Sequence, residues 1–281
     1  MILPGAASQA LAADLAAALD EPLGRVEYGR FPDGELVVRT PADVGDRAVV
    51  VASTVTSDAH VQVLQLQDAA REAGASEVVT VLPYMGYARQ DRAFEAGEPV
   101  SARAVARAIS AGTDRVLTVT PHEERVCDYF DVPATPVDAA PLLADPLPDL
   151  ADPLFLSPDA GAVDVATSVR DGYGTGTVDH FEKERRSATE VQVTPGDVRV
   201  AGRDVVVVDD VVATGSTLSE AIAALRDRDP ARVFVAVVHP LLAANARTKL
   251  ERAGVDAVYG TDTIERDVSA VTVAPAVADA L

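Results

Sequence analysis

Two stretches of this chain repeat one alternation of β-branched run, loop and helical stretch, and that repeat limits the fold more than any other feature. Val49-Val50-Val51-Ala52 reads as a buried strand. A helix is expected over 58–73, with Ala59, Val63, Leu66, Ala70 and Ala73 three or four apart and Gly74 to stop it. Residues 78–82 and 115–119 read as strands around a second helix, which Ser101 can cap, Ala102, Val105 and Ile109 face, and Gly112 ends. The outline returns with a strand at 205–208, a helix at 217–226 with Thr217 and Glu220 in capping-box spacing, a strand at 233–238, a helix at 242–253 and a strand at 255–259. Val49 and Val205 stand 156 positions apart, and Val78 and Val233 keep nearly that offset. A β-α-β alternation implies parallel sheets with helices on both faces, so the expected fold is α/β, built as a tandem duplication. Pro141, Pro146, Pro148, Pro153 and Pro158 crowd the stretch between the halves. Proline breaks helices, which sets the expected domains at 1–147 and 148–281.

Charge narrows the functions open to such a fold. Asp and Glu total 44 against 24 Lys and Arg, a net charge of −20, and a surface like that repels nucleic acid and anionic membranes. No apolar run reaches the roughly 18 residues of a membrane span. The first twenty residues hold Asp14 and Asp20 but no Lys or Arg, the wrong pattern for a secretory signal, so a cytoplasmic protein is expected. The lone Cys127 can form neither an intramolecular disulfide nor a cysteine zinc cluster, and is expected to be a small buried hydrophobe. Only Lys183 and Lys249 are lysines, against 22 arginines. Acidic, lysine-poor, tryptophan-free chains resemble those of salt-loving organisms, where salt screens carboxylate repulsion. A lysine kept on such a surface is a candidate for chemistry.

In an open parallel sheet, ligands bind beyond the carboxyl ends of the strands. There the run Val205-Val206-Val207-Val208-Asp209-Asp210-Val211-Val212-Ala213-Thr214-Gly215-Ser216-Thr217 leads a strand through a small, hydroxyl-rich loop into a helix. Amides at a helix N-terminus favour a phosphate, and Gly215 lets the backbone approach it. Asp209 and Asp210 cannot both be buried in the core, and suit sugar hydroxyls or a hydrated Mg²⁺.

This loop resembles the phosphoribosyl-diphosphate loop of type I phosphoribosyltransferases. Four further segments resemble one family built on that fold, the ribose-phosphate diphosphokinases. The run Pro83-Tyr84-Met85-Gly86-Tyr87-Ala88-Arg89-Gln90-Asp91-Arg92 is similar to their P-Y-x-x-Y-A-R-Q-D-R segment. Phe31-Pro32-Asp33-Gly34-Glu35 resembles their F-x-D-G-E turn, Ser157-Pro158-Asp159-Ala160-Gly161-Ala162 their S-P-D-x-G-G stretch, and Lys183-Glu184-Arg185-Arg186 their K-x-R flexible loop. The five motifs fall in the family's order. In length the chain is closer to archaeal members than to the longer bacterial ones.

The resemblance implies two tandem phosphoribosyltransferase-like domains and transfer of the β,γ-diphosphoryl group of Mg-ATP to the anomeric hydroxyl of ribose 5-phosphate. It implies Lys183 as the cation that neutralises the transition state and Arg185 as a phosphate clamp. It assigns ATP contacts to Phe31, Asp33, Gly34, Glu35, Arg89, Gln90 and His122, mainly in the first domain. It assigns ribose 5-phosphate contacts to Arg185, Asp209, Asp210 and Ala213 through Thr217. Mg²⁺ contacts fall to His122 and Asp159. It also implies a homo-oligomer in which the 31–35 turn reaches a neighbouring subunit's ATP site. Lys249, by contrast, reads as plain helix surface. Two other functions share parts of this pattern. A phosphoribosyltransferase would need the 209–217 loop but not Arg89, Gln90 or the Lys183–Arg185 pair. A regulatory partner with a decayed site should have lost Lys183, His122 and Asp159, which are all present. A DNA-binding regulator on this fold conflicts with the acidic surface.

Overall fold

The computed structural model describes the backbone of residues 1–185, 191–195 and 198–281, and the side chains of residues 1–181 and 198–281. The chain forms two compact units. One comprises Met1–Asp138, Asp262–Glu265 and Thr272–Leu281, and the other Ala139–Thr261 and Arg266–Val271.

The first unit runs β1 (Ile2–Pro4), α1 (Gln9–Leu19), β2 (Glu27–Arg30), β3 (Leu36–Arg39), β4 (Arg47–Val51), α2 (Ser57–Glu72), β5 (Glu77–Leu82), α3 (Ser101–Ser110), β6 (Arg115–Val119) and β7 (Ala134–Val137). Its main sheet has the order β1-β4-β5-β6-β7, and every neighbouring pair is parallel. β2 and β3 form a separate antiparallel hairpin. Val50, Val78, Leu82 and Val116 of the sheet share a core with Val63 and Leu66 of α2 and Ala106 and Ile109 of α3. The three-to-four spacing in α2 therefore marks its buried face, as read.

The second unit runs β8 (Leu154–Ser157), α4 (Val163–Tyr173), β9 (Thr177–Arg185), β10 (Val191–Pro195), β11 (Asp204–Val211), α5 (Ser216–Arg226), β12 (Arg232–His239), α6 (Ala246–Ala253), β13 (Ala257–Thr261) and β14 (Ser269–Val271). Among the described residues its sheet has the order β10-β9-β8-β11-β12-β13-β14, antiparallel only at β10–β9. Val205 through Val208 are fully buried, as a central parallel strand covered on both faces requires. Val205 and Val207 pack with Leu218, Ile222 and Leu225 of α5 and Leu250 of α6. α4 packs on β8, β9 and β11. The chain then returns to the first unit, where α7 (Ala274–Ala280) packs on α1, and Arg47 and Arg115 donate to the Leu281 carbonyl at 3.4 and 2.9 Å.

Three local expectations need correction. Ser101 is the first residue of α3 and not its cap, which is Val100, because the Ser101 hydroxyl donates to Gln90 Oε1 instead. No capping box forms at Thr217 and Glu220, since α5 begins one residue earlier behind Gly215. The helix expected over 242–253 starts only at Ala246. Leu242 and Ala244 hold left-handed φ values of 46° and 53°, and the Leu242 and Ala243 amides donate to the carbonyls of Val212 and Ala213 at 2.8 and 2.9 Å. The apolar residues there look helical by spacing, but their backbone is spent on bracing the neighbouring loop.

Candidate functional site

β8 hands the chain through α4 to β9 on one side of the sheet, while β11 hands it through α5 to β12 on the other. The two central strands β8 and β11 therefore flank a topological switch point, where parallel sheets open a ligand crevice at their carboxyl ends. The strand ends and the loops that leave them span 157–162 and 209–215.

The first loop is organised around Asp159. Its carboxylate accepts from the Gly161 amide at 3.0 Å and caps the short turn Ala160–Ala162, and its carbonyl accepts from the Ser157 hydroxyl at 2.6 Å. At the end of β11 Asp210 is buried, while Asp209 is half-buried and accepts the Asp210 amide at 3.0 Å. The two acids are not both buried in the core, as expected, although Asp210 is. Burial, then the neighbouring carboxylates of Asp210 and Asp159, push the Asp209 carboxyl well above the usual carboxylate range. Three carboxyl groups gathered at one crevice are costly to ionise together. They favour hydroxyl donors or a hard cation.

Beyond them the loop turns into α5 through Gly215, at φ +68°. A Cβ there would lie 3.3 Å from the Ala246 Cβ and 3.4 Å from the Ala246 Cα and carbonyl oxygen, so glycine is required both by conformation and by the closeness of α6. Gly215 caps α5 without any side-chain hydrogen bond. The first helical amides thus have no acceptor from within their helix or from a cap. Thr214 and Thr217 are exposed, and Ala213 and Ser216 half-buried. Lys249, read from the sequence as plain surface, instead reaches this loop. Its Nζ donates to the Thr214 carbonyl at 3.2 Å and to Ser216 Oγ at 2.7 Å.

In the first unit, Phe31, Asp33, Gly34 and Glu35 form the tip of the β2–β3 hairpin. The Phe31 amide donates to the Glu35 carbonyl and the Gly34 amide to the Phe31 carbonyl, both at 2.8 Å, and the Glu35 amide donates to Asp33 Oδ1 at 3.1 Å. Gly34 sits at φ +95° and the Phe31 ring is 47% exposed. A tight turn that leaves one aromatic ring in solvent lets the turn chemistry and a stacking role coexist. The segment after β5 is held down from several sides. The Gly86 amide donates to Thr54 Oγ1 at 2.8 Å, and a Cβ on Gly86 would fall 2.2 Å from the Thr54 carbonyl oxygen. Tyr129 donates to the Asp91 carbonyl at 2.6 Å and Arg125 pairs with the buried Asp91 carboxylate. Gln90 is tied by Ser101, whereas Arg89 beside it is exposed. His122 lies exposed after β6. Cys127 is half-buried and not fully in the core, and burial followed by the Asp128 and Glu124 charges pushes its thiol up to about 11, so it stays protonated.

Lys183 and Arg185 lie at the end of β9, in antiparallel register with Val193 and Val191. Their side chains, and Arg186 altogether, lie outside the described residues. The donor set suits Mg²⁺. No three His, Cys, Asp or Glu side chains among the described residues form a closed metal cage. Mg²⁺ commonly keeps its waters and binds through one or two carboxylates plus substrate phosphates, which is what the acids at this crevice offer.

Comparison with known proteins bears on the same regions. A family model described as the N-terminal domain of ribose phosphate pyrophosphokinase matches residues 1–112, and a phosphoribosyl transferase domain matches residues 148–278. A ribose-phosphate pyrophosphokinase of Halobacterium salinarum is 70% identical, with 100% of each chain covered. One of Methanopyrus kandleri is 45% identical over 95% of this chain and 93% of that protein. The crystal structure of a phosphoribosylpyrophosphate synthetase from Mycobacterium smegmatis superposes with a TM-score of 0.83 at 28% identity, covering 100% of this chain and 96% of that one.

Proposed function

The chain belongs to the ribose-phosphate pyrophosphokinase family, an enzyme family, and from that premise we propose that it converts Mg-ATP and ribose 5-phosphate to 5-phosphoribosyl 1-diphosphate and AMP, for nucleotide biosynthesis. The anomeric oxygen attacks the β-phosphorus. The bond from that phosphorus to the α,β-bridging oxygen breaks, its electron pair leaves with AMP, and the anomeric proton is released. The observation that carries this reading is the loop at the switch point. There a left-handed glycine opens α5 without a side-chain cap, directly beyond an acid pair that suits sugar hydroxyls.

In this reading Asp209 and Asp210 accept from the ribose hydroxyls, and the residues from Ala213 to Thr217 hold the 5-phosphate through backbone amides and hydroxyls. Phe31 stacks on the adenine while Asp33 and Glu35 accept its amine. Arg89, Gln90 and His122 contact the nucleotide. Lys183 neutralises charge on the transferring group, and Arg185 clamps the phosphates. His122 and Asp159 are each proposed to contact a magnesium ion, which when bound draws charge from the phosphate oxygens. The exposed ring of Phe31 supports a homo-oligomer in which the hairpin serves a neighbouring subunit's nucleotide. A cytoplasmic location fits a substrate such as ATP. No helix among the described residues is long and apolar enough to cross a membrane.

The test is AMP release from Mg-ATP in molar KCl, with and without ribose 5-phosphate. Sugar-dependent AMP with no ADP is expected. No AMP from folded protein would overturn the reading in favour of a phosphoribosyltransferase or an inactive partner, which a screen of nucleobases with phosphoribosyl diphosphate separates.

A further inference from the structure

We propose that Lys249 is a positioning residue for the ribose 5-phosphate loop, holding the Ser216 hydroxyl as a donor toward the sugar phosphate. This rests on the reading of residues 209–217 as the site of that phosphate.

Lys249 stands on α6, which lies flush against the loop. Ala246 is fully buried with its Cα and Cβ against Gly215, and Leu250 is buried in the core shared with α5. One turn along the helix from Ala246, the lysine folds back over the loop. Its ammonium spans Gly215, donating to the Thr214 carbonyl at 3.2 Å on one side and to Ser216 Oγ at 2.7 Å on the other. An ammonium has three donors and no acceptor. Ser216 Oγ must therefore accept this bond, which turns its own proton away from Lys249. At the opening of α5, that leaves the hydroxyl to donate in the company of the first helical amides. The ammonium also places a full positive charge one residue from the loop's glycine, in a chain with only two lysines and a net charge of −20. Negative charge at the neighbouring Asp210 and Asp159 would otherwise repel an incoming phosphate, and Lys249 opposes it. The Thr214 contact supplies rigidity as well, by pinning the exposed side of a loop whose other side is bonded to Leu242 and Ala243.

The test compares Lys249→Met and Lys249→Arg with the unaltered protein. The methionine keeps the length and apolar stem but loses charge and donors. It is expected to raise KM for ribose 5-phosphate about tenfold, with KM for ATP within about twofold and a smaller change in kcat, because a charge-assisted tie is lost at one substrate only. The arginine, which can donate to both oxygens, should recover most of that loss. Circular dichroism and the thermal midpoint report whether each variant folds. A KM for ribose 5-phosphate that does not move, a KM for ATP that rises in step with it, or an arginine variant no better than methionine would overturn the assignment. Calorimetric titration with ribose 5-phosphate alone removes turnover from the question. Tenfold weaker binding to the methionine variant supports the role of Lys249 even if no AMP forms, an outcome that would sink only the diphosphotransferase reading. Equal binding to both proteins sinks the role of Lys249.

Discussion

Gly215 offers the sharpest quantitative test of the loop, because a second glycine in the same unit shares its conformation but not its surroundings. Gly174 caps α4 at φ +89°, with its amide donating to the Arg170 carbonyl at 2.9 Å and nothing within 4 Å of an added Cβ. A parallel crossover helix runs back from the carboxyl end of one strand to the start of the next, so Gly174 lies away from the crevice. Placing an alanine in the left-handed region costs about 1–2 kcal/mol. Part of that, about 0.4–1 kcal/mol, is offset because the unfolded chain is also restricted. Gly174→Ala should then cost about 1 kcal/mol and lower the thermal midpoint by about 2–4 °C. Gly215→Ala carries the same backbone term. Its Cβ also presses on Ala246 at 3.3–3.4 Å, two of the three contacts being backbone atoms of a helix that cannot simply rotate away. Overpacking of that kind adds about 1 kcal/mol, giving about 2 kcal/mol in all. If the loop yields rather than the helix, the loss falls on phosphate binding, and about 2 kcal/mol corresponds to a KM for ribose 5-phosphate raised roughly 30-fold. Both variants are assayed for thermal midpoint and for KM of each substrate. A Gly215→Ala protein with unchanged KM and midpoint, or a Gly174→Ala protein with an equally raised KM, refutes the reasoning.

Three further outcomes follow from the charges. Lys183→Ala should lower kcat by on the order of 10²–10⁴ with the fold intact, and near-normal turnover would remove Lys183 from the chemistry. With a net charge of −20, the thermal midpoint should climb from low to molar KCl, and a flat response counts against charge screening as a condition of folding. Asp204 is buried between the Ala151 amide at 2.6 Å and an Arg232 fork at 2.9 and 2.7 Å, and the Arg232 hydrogen bonds outweigh burial to hold its carboxyl below the usual range. A depressed carboxyl stabilises the fold above its unfolded pKa of about 4, and that contribution is lost as the pH falls through the folded value. Asp204→Asn should therefore cost about 2 kcal/mol near neutrality and flatten the acid side of the urea-midpoint profile, and an unchanged midpoint near neutrality would contradict it.

Much of the architecture was legible because a central parallel strand must be apolar on both faces. Val49–Val51 and Val205–Val208 announce themselves for that reason, and the stretch after Val208 carries the candidate site residues in one continuous run. What was not legible depends on contacts between distant segments. Nothing in Leu242-Ala243-Ala244 shows that its amides are committed to Val212 and Ala213, so the helical period misleads there. Ser101 has the composition of a cap but is drawn to Gln90. Lys249 reads as surface because a lysine on an amphipathic helix normally faces water. The scarcity that singled out Lys183 applies equally to Lys249, and was the one signal that could have found it. The return of residues 262–265 and 272–281 to the first unit is written in no local pattern.

The duplicated outline raises the question of why one half would hold the sugar phosphate and the other would not. The answer lies in how each helix begins. After β4 the chain crosses 52–56, and Thr56 caps α2 with its side chain, accepting the Ala59 amide at 3.1 Å. The helix is satisfied from within, and its N-terminus has less to offer an anion. β11 instead carries Asp209 and Asp210 at its carboxyl end, and the loop 212–215 enters α5 through a glycine that has no side chain with which to cap. Glycine in place of a capping Ser, Thr or Asp costs a helix only about a few tenths of a kcal/mol. That loss is tolerable where a bound phosphate completes the helix, and where Lys249 and the Leu242–Ala243 strap hold the open loop in shape. In the proposed function the same strand–loop–helix unit serves as scaffold in one half and as cradle in the other. The difference is a few residues at the helix start, not a different fold.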